Sequence, residues 1–338
     1  LESAEGQQDG DPILRVRDLS VRFYLGYGTV KAVDHLSFDV ERGSIFGVVG
    51  ESGSGKSVTA LTTMGLLPMP PGRVDSGEIL LDGENLFKKT PEEMRQIRGK
   101  RVSMIYQDPM TSLNPVFRVG FQIEEALLAH EKMPRQQAQA KAIELLAATG
   151  IPDPEKRVRE FPHQFSGGMR QRIMIAMALV TDPGLLIADE PTTALDVITQ
   201  AQILELLRSL QQKRRMSVIL ITHDLGIVAE YCQKVLVMYA GQGMEQGSAK
   251  QVFGEPRHPY TKGLLNSITR IDADIERLNS IPGEIADLVH PPAGCRFHPR
   301  CFAAFEKCRS EEPPFFPIQG GRSSKCWLEE GARSGGGG

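Results

Sequence analysis

Short runs in which apolar and polar residues alternate open the chain. Ile13-Leu14-Arg15-Val16 and Leu19-Ser20-Val21-Arg22-Phe23 read as strands, and Leu36-Ser37-Phe38-Asp39-Val40 continues the pattern. Ser44-Ile45-Phe46-Gly47-Val48-Val49 reads as a short buried strand, followed after a glycine-rich turn by an apolar-rich helical stretch over residues 57–67. A hairpin is expected from Gly77-Glu78-Ile79-Leu80-Leu81, turning at Asp82-Gly83 and resuming near Asn85-Leu86. Val102-Ser103-Met104-Ile105-Tyr106 is the next strand, ending at Gln107. The period then becomes helical: residues 120–131 place Ile123, Ala126 and Leu127 on one face, and residues 136–149 place Ala142, Leu145 and Leu146 likewise. A third helix is expected after Ser166-Gly167-Gly168. Strand and helix alternate from there: strands over 185–188, 217–221 and 234–239, helices over 197–212 and 225–231. This order predicts an α/β fold, with an early antiparallel β-layer and a helix-covered parallel sheet interrupted by a helical insertion. Beyond about residue 256 the periodicity fades into Pro-, Cys- and Arg-rich text, read as a small appended domain.

Bulk composition narrows the class without changing that picture. At 338 residues the chain can bury a large core, and 41% apolar with 24% charged residues is ordinary for a globular protein. A net charge of −3 gives no reason to expect a nucleic-acid-binding surface. The longest uninterrupted apolar run, residues 173–180, falls far short of the roughly 20 residues needed to span a bilayer. The polar, acidic first twelve residues lack the apolar core of a signal peptide, so the cytoplasm is the expected compartment.

Gly50-Glu51-Ser52-Gly53-Ser54-Gly55-Lys56-Ser57 supplies the chemistry. It fits G-x-x-x-x-G-K-[ST] between a strand and a helix, the geometry that aims backbone N–H groups and a helix N-terminus at a triphosphate. Gly50, Gly53 and Gly55 keep Cβ atoms clear of the phosphates, while Ser52, Ser54 and Val58 complete the contacting set. Lys56 is expected to reach the β/γ-phosphates and Ser57 to bind Mg²⁺. Leu185-Leu186-Ile187-Ala188-Asp189-Glu190 is an apolar strand ending in two carboxylates. In a phosphate-loop enzyme Asp189 helps hold Mg²⁺, and Glu190 can polarise the attacking water as general base.

Phe165-Ser166-Gly167-Gly168-Met169-Arg170-Gln171 resembles the LSGGQ signature of the ATP-binding cassette (ABC) family, departing from it at Phe165 and Met169. Gln107, Thr193-Ala194-Leu195-Asp196 and His223 stand where that family has its Q-loop, D-loop and switch histidine. The chain is similar, more closely, to ATPase subunits of dipeptide/oligopeptide permeases. That likeness lies in residues 106–115 (YQDPMTSLNP), in Arg257-His258-Pro259-Tyr260-Thr261 and in Cys295-Arg296-Phe297-His298-Pro299-Arg300-Cys301. The resemblance implies a P-loop NTPase of ABC type over residues 13–255, with a helical subdomain at about 116–180. A cysteine-bearing domain would follow over 256–330, with disordered ends at 1–12 and 331–338. It implies that two cassettes face head to tail, so that Ser166, Gly167 and Gly168 serve the partner's ATP and Asp196 contacts the partner. Gln107 would sense Mg²⁺ and water, and His223 would contact the γ-phosphate. An aromatic of the early β-layer would stack on adenine; Phe23 is the first choice, with Tyr24 and Tyr27 as rivals. The implied partners are a second ATPase (a related, unlike one, with a second copy of this chain as the alternative), two transmembrane permease subunits and an extracytoplasmic substrate-binding protein, with this chain at the cytoplasmic face of the membrane. Peptide import is the expected task. Another cargo such as nickel or glutathione is the alternative, followed by a soluble non-transport ABC ATPase.

Four of the five cysteines, Cys295, Cys301, Cys308 and Cys326, crowd one segment with the spacing C-x₅-C-x₆-C-x₁₇-C. In a cytosolic protein such a set favours a metal over disulfides, and four thiolates can hold Zn²⁺ or an iron–sulfur cluster. The resemblance to peptide-permease ATPases selects [4Fe–4S], with Zn²⁺ as the alternative. His298 is expected not to ligate, and Cys232 to be an inert packing residue.

Overall fold

A computed structural model describes residues 11–107, 112–193, 195–267 and 281–332. Outside the described residues fall most of the expected N-terminal segment, Asp108 to Thr111 after Gln107, Ala194, and residues 333–338 of the expected tail. The chain folds as two compact units that interleave in sequence: residues 1–14, 39–45 and 80–221 form one, and 15–38, 46–79 and 222–338 the other.

In the first unit, three parallel strands stand side by side. Val102–Ile105 pairs with Leu185–Asp189 from Val102↔Leu185 to Ile105↔Ala188, and Leu185–Asp189 pairs with Ser217–Thr222 from Leu185↔Ser217 to Asp189↔Ile221. Leu185–Asp189 is buried along its whole length, which explains its unbroken apolar text before the carboxylate. The helical insertion is present as Val119–Leu128, Arg135–Ala148 and Gly167–Ala178, which pack on one another. Arg135–Ala148 buries Ala138, Ala142, Leu145 and Leu146, one face of a 3.6-residue period. Val119–Leu128 reaches its neighbour through Gly120: its N–H donates to Val158 O (2.8 Å), and a Cβ there would lie 2.3 Å from a Val158 methyl.

The second unit holds all but the outer ends of Leu14–Leu25 and Gly28–Val40, joined by the two-residue turn Gly26–Tyr27, a link that only antiparallel neighbours allow. Two separate early strands were expected where one continuous strand runs. Asp18 absorbs the interruption by adopting a left-handed φ of 49°. Ile45–Val49 runs parallel to Lys234–Tyr239 and feeds the helix Lys56–Thr63. Lys234–Tyr239 pairs antiparallel with Gln242–Ser248, which pairs with Arg322–Ser324, which pairs with Phe316–Ile318. The Cys-rich segment therefore contributes two added strands, each three residues long and too short to show a period. No helix among the described residues is long and apolar enough to cross a membrane.

Candidate functional site

The phosphate loop leaves the end of Ile45–Val49 through residues that only glycine tolerates. Gly50 has φ 153° and a Cβ on it would lie 2.1 Å from Met238 O; Gly55, at φ 100°, would bring one to 2.4 Å from Ala32 O. These clashes with backbone fix both glycines for packing reasons as well as for access to phosphate. The helix Lys56–Thr63 has no acidic residue in its first turn to offset the positive end of its dipole. Lys56 is 5% exposed, and its ammonium donates to Gly50 O (2.7 Å) and Glu51 O (3.0 Å). Ser54 is buried, Ser52 and Gly53 are exposed, and Ser57 and Val58 are half-buried. The donor set, an ammonium and a hydroxyl at a helix start free of acidic residues, fits a Mg²⁺-bound triphosphate.

Glu51, inside this loop, is gripped by the C-terminal part of the same unit. Its carboxylate accepts from Arg300 Nη1 (2.7 Å) and Nη2 (3.1 Å), and its N–H donates to Tyr260 Oη (3.0 Å). Sequence reading passed over these two partners. Arg300 lies 249 residues from Glu51 along the chain, and no local pattern links them.

The other unit carries the carboxylates and the signature. Asp189 closes its strand at 5% exposure. Glu190 adopts φ 47°, and its N–H donates to Ile221 O (2.9 Å). A left-handed backbone on a non-glycine residue costs about 1–3 kcal/mol and is held only where its surroundings enforce it. The Glu190 carboxylate accepts at Oε2 from Gln107 Nε2 (3.1 Å) and Thr193 Oγ1 (2.9 Å), so the Q-loop glutamine and the base candidate already touch.

Ser166 caps the helix Gly167–Ala178 by accepting from Met169 N (3.3 Å). Gly167 and Gly168 are thus the first turn of that helix, whereas a start after them was expected; the Ser166 cap moves it earlier. Gly168 abuts the next helix, where a Cβ would lie 2.5 Å from the Thr199 methyl, and a Cβ on Gly167 would lie 3.5 Å from Leu195 in the segment before it. Asp196 caps Val197–Arg214 through Thr199 N (2.9 Å) and Thr199 Oγ1 (2.7 Å), bonds that hold its carboxyl below the ordinary range.

His223 is exposed, between Ser217–Thr222 and Leu225–Tyr231. Among the adenine candidates, Phe23 is half-buried in its strand, Tyr24 donates its hydroxyl to Asp75, and Tyr27 in the turn is 75% exposed. A separate groove of about 650 Å³ opens on the helical insertion. Phe117, Phe121 and Phe161 line it, with Arg118 over the Phe161 ring and Arg135 over the Phe121 ring.

Cys295, Cys301, Cys308 and Cys326 converge on one pocket beside His258 and Trp327, with about 10 Å³ of open space. Burial pushes the Cys295 thiol up to about 11 and the Cys326 thiol up to about 12, and their neighbouring sulfurs add to the shift. The donor chemistry suits a metal. The geometry does not: among the described residues no three His, Cys, Asp or Glu side chains stand ready to hold one. The expected [4Fe–4S] centre gains no support from this packing. Cys232 is buried against Gly47, and burial raises its thiol to about 12.

With these features in view, the chain was compared with known proteins. Residues 33–193 match the family model described as ABC transporter, and residues 244–308 the one described as Oligopeptide/dipeptide transporter, C-terminal region. The chain is 51% identical over 317 residues to the oligopeptide transport ATP-binding protein OppD of Bacillus subtilis, covering 94% of this chain and 88% of that one. It is 50% identical to the dipeptide transport ATP-binding protein DppD of Escherichia coli, covering 93% and 96%. Among solved structures it resembles cbiO1 from Clostridium perfringens, part of the ABC transporter complex cbiONQ, with TM-score 0.62, 30% identity and coverage of 72% and 92%. The ATP-binding cassette MJ0796, in a dimeric post-hydrolysis state bound to ADP and Pi, shares the fold at TM-score 0.62 and 22% identity, covering 70% and 98%.

Proposed function

This chain belongs to the ABC transporter ATP-binding proteins of the oligopeptide/dipeptide type, and from that premise we propose how its residues drive peptide import. The protein is the ATPase of a peptide importer. Gly50 and residues 52–58 receive the triphosphate, with Lys56 on the β/γ-phosphates. Ser57, Gln107 and Asp189 are the residues that would hold Mg²⁺, which would neutralise phosphate charge. Glu190 takes the proton of the attacking water, His223 contacts the γ-phosphate, and Phe23 stacks on adenine. The observation that carries the assignment is the bond from Gln107 Nε2 to Glu190 Oε2, which links the Q-loop directly to the base.

Ser166, Gly167 and Gly168 serve the nucleotide of a second cassette, an unlike ATPase of the same type. Two transmembrane permease subunits complete the transporter at the cytoplasmic face of the membrane, fed by an extracytoplasmic substrate-binding protein. The groove of Phe117, Phe121 and Phe161 accepts a cytoplasmic permease helix, its arginines favouring an acidic residue on that helix. Residues 13–255 act as the nucleotide-binding domain and 256–330 as the appended domain. In that domain Cys295, Cys301, Cys308 and Cys326 would hold [4Fe–4S], or Zn²⁺ as the alternative. Iron and acid-labile sulfide assayed after anaerobic purification test the metal, and metal-free protein with four titratable thiols overturns it.

The experiment for the whole reading is reconstitution of the membrane-extracted complex in liposomes. ATP-dependent peptide uptake that disappears with Glu190→Gln is expected. Co-purification with ribosomes or DNA, without permease subunits, defeats the proposal.

A further inference from the structure

A carboxylate inside a phosphate loop is an electrostatic liability. Glu51 directly follows Gly50, where the backbone must face a group carrying several negative charges, and an unopposed carboxylate there repels the ligand. The structure shows that this charge is not left unopposed. Arg300 meets it in a two-pronged ion pair at 2.7 and 3.1 Å, the strongest geometry available to a carboxylate. Arg300 is 8% exposed, and its guanidinium is tied down on several sides. Nε donates to Pro282 O (3.1 Å), Nη2 to Ile281 O (3.3 Å), and the group lies over the Tyr239 ring at 5.7 Å. Tyr260, fully buried against Tyr239 and Phe297, takes the Glu51 N–H at 3.0 Å and so fixes the orientation of that peptide plane. Sequestering a guanidinium for a carboxylate that remains 25% exposed is a poor way to gain stability alone.

We propose that Arg300 and Tyr260 are positioning residues of the phosphate loop. Arg300 neutralises Glu51 and Tyr260 fixes its peptide, so that the C-terminal segment sets the loop's affinity for a nucleoside triphosphate. The inference rests on residues 50–57 being the phosphate loop. It adds that the loop is incomplete without two side chains from beyond residue 256.

The test measures binding of a fluorescent ATP analogue with Mg²⁺ to the full chain, and the thermal midpoint of every variant. Arg300→Gln is expected to weaken binding about tenfold, and Arg300→Lys, which keeps the charge without the fork, by less. Glu51→Gln alone binds no more weakly than the parent. The deciding variant is the double one: Glu51→Gln with Arg300→Gln recovers to within about threefold of the parent, because no charge is left to neutralise. Tyr260→Phe weakens binding about threefold whether or not Glu51 is charged. Parent-like affinity in Arg300→Gln overturns the proposal, as does a double variant no better than Arg300→Gln, the result a purely structural role gives. A parent chain that binds no analogue, or a Lys56→Ala chain that binds it equally well, defeats the phosphate-loop reading itself.

Discussion

Glu190 is constrained at both its backbone and its carboxylate. Its left-handed backbone is locked by Ile221, and its Oε2 is shared by Gln107 and Thr193. Replacing it with Gln keeps the shape and removes the base. Nucleotide binding should persist while turnover falls by about 10²–10⁴, measured as phosphate release against analogue binding in the same preparation. Normal turnover in that variant would remove Glu190 from the role. Cys232 offers a plainer residue-scale check. With its thiol pushed up to about 12 by burial, almost no thiolate exists at pH 8, so alkylation of the folded chain should spare it. Labelling of Cys232 should appear only under denaturant; labelling as fast as an exposed thiol would contradict its placement. Both residues were legible in sequence, one from its strand-end position and one from its apolar helix end. The backbone strain at Glu190 was not, because a φ angle leaves no mark in a string of residue types.

At the scale of elements, legibility followed length and periodicity. Leu185–Asp189, Leu225–Tyr231 and Lys234–Tyr239 lie within a residue of expectation, since an unbroken apolar run or a clear 3.6 period admits one reading. Gln242–Ser248 escaped notice because its text, QGMEQGS, alternates nothing, yet six of its neighbours on Lys234–Tyr239 fix its register. Phe316–Ile318 and Arg322–Ser324 are strands only because that edge was waiting for them. Pairing partners distant in sequence, rather than local preference, make such elements. The parallel strands carry the corresponding prediction. Ile187 is fully buried in the middle of Leu185–Asp189, so Ile187→Ala should cost about 2–5 kcal/mol in a urea titration. A loss under 1 kcal/mol would mean that the strand is not the core element described here.

For the molecule as a whole, ligand and fold should be coupled. Mg²⁺-ATP at about a hundred times its Kd should stabilise the chain by roughly 2.7 kcal/mol, read as a raised thermal midpoint. Lys56→Ala should abolish that gain while leaving the ligand-free midpoint near the parent value. The nucleotide motifs were readable because each is local, a handful of adjacent residues with a fixed chemical job. What the sequence hid was the support behind them: the Glu51–Arg300 grip joins side chains from distant text.

The interleaving of the two units has a practical corollary for anyone dividing this polypeptide. A fragment stopped at residue 255 still spells every nucleotide motif, yet it discards the arginine and the tyrosine that hold Glu51 and the strand that covers Gln242–Ser248. Chimeras that exchange tails between related ATPases exchange loop electrostatics along with them. A tail swap intended to change partners therefore alters nucleotide affinity too, unless the Glu51 position is exchanged in the same step.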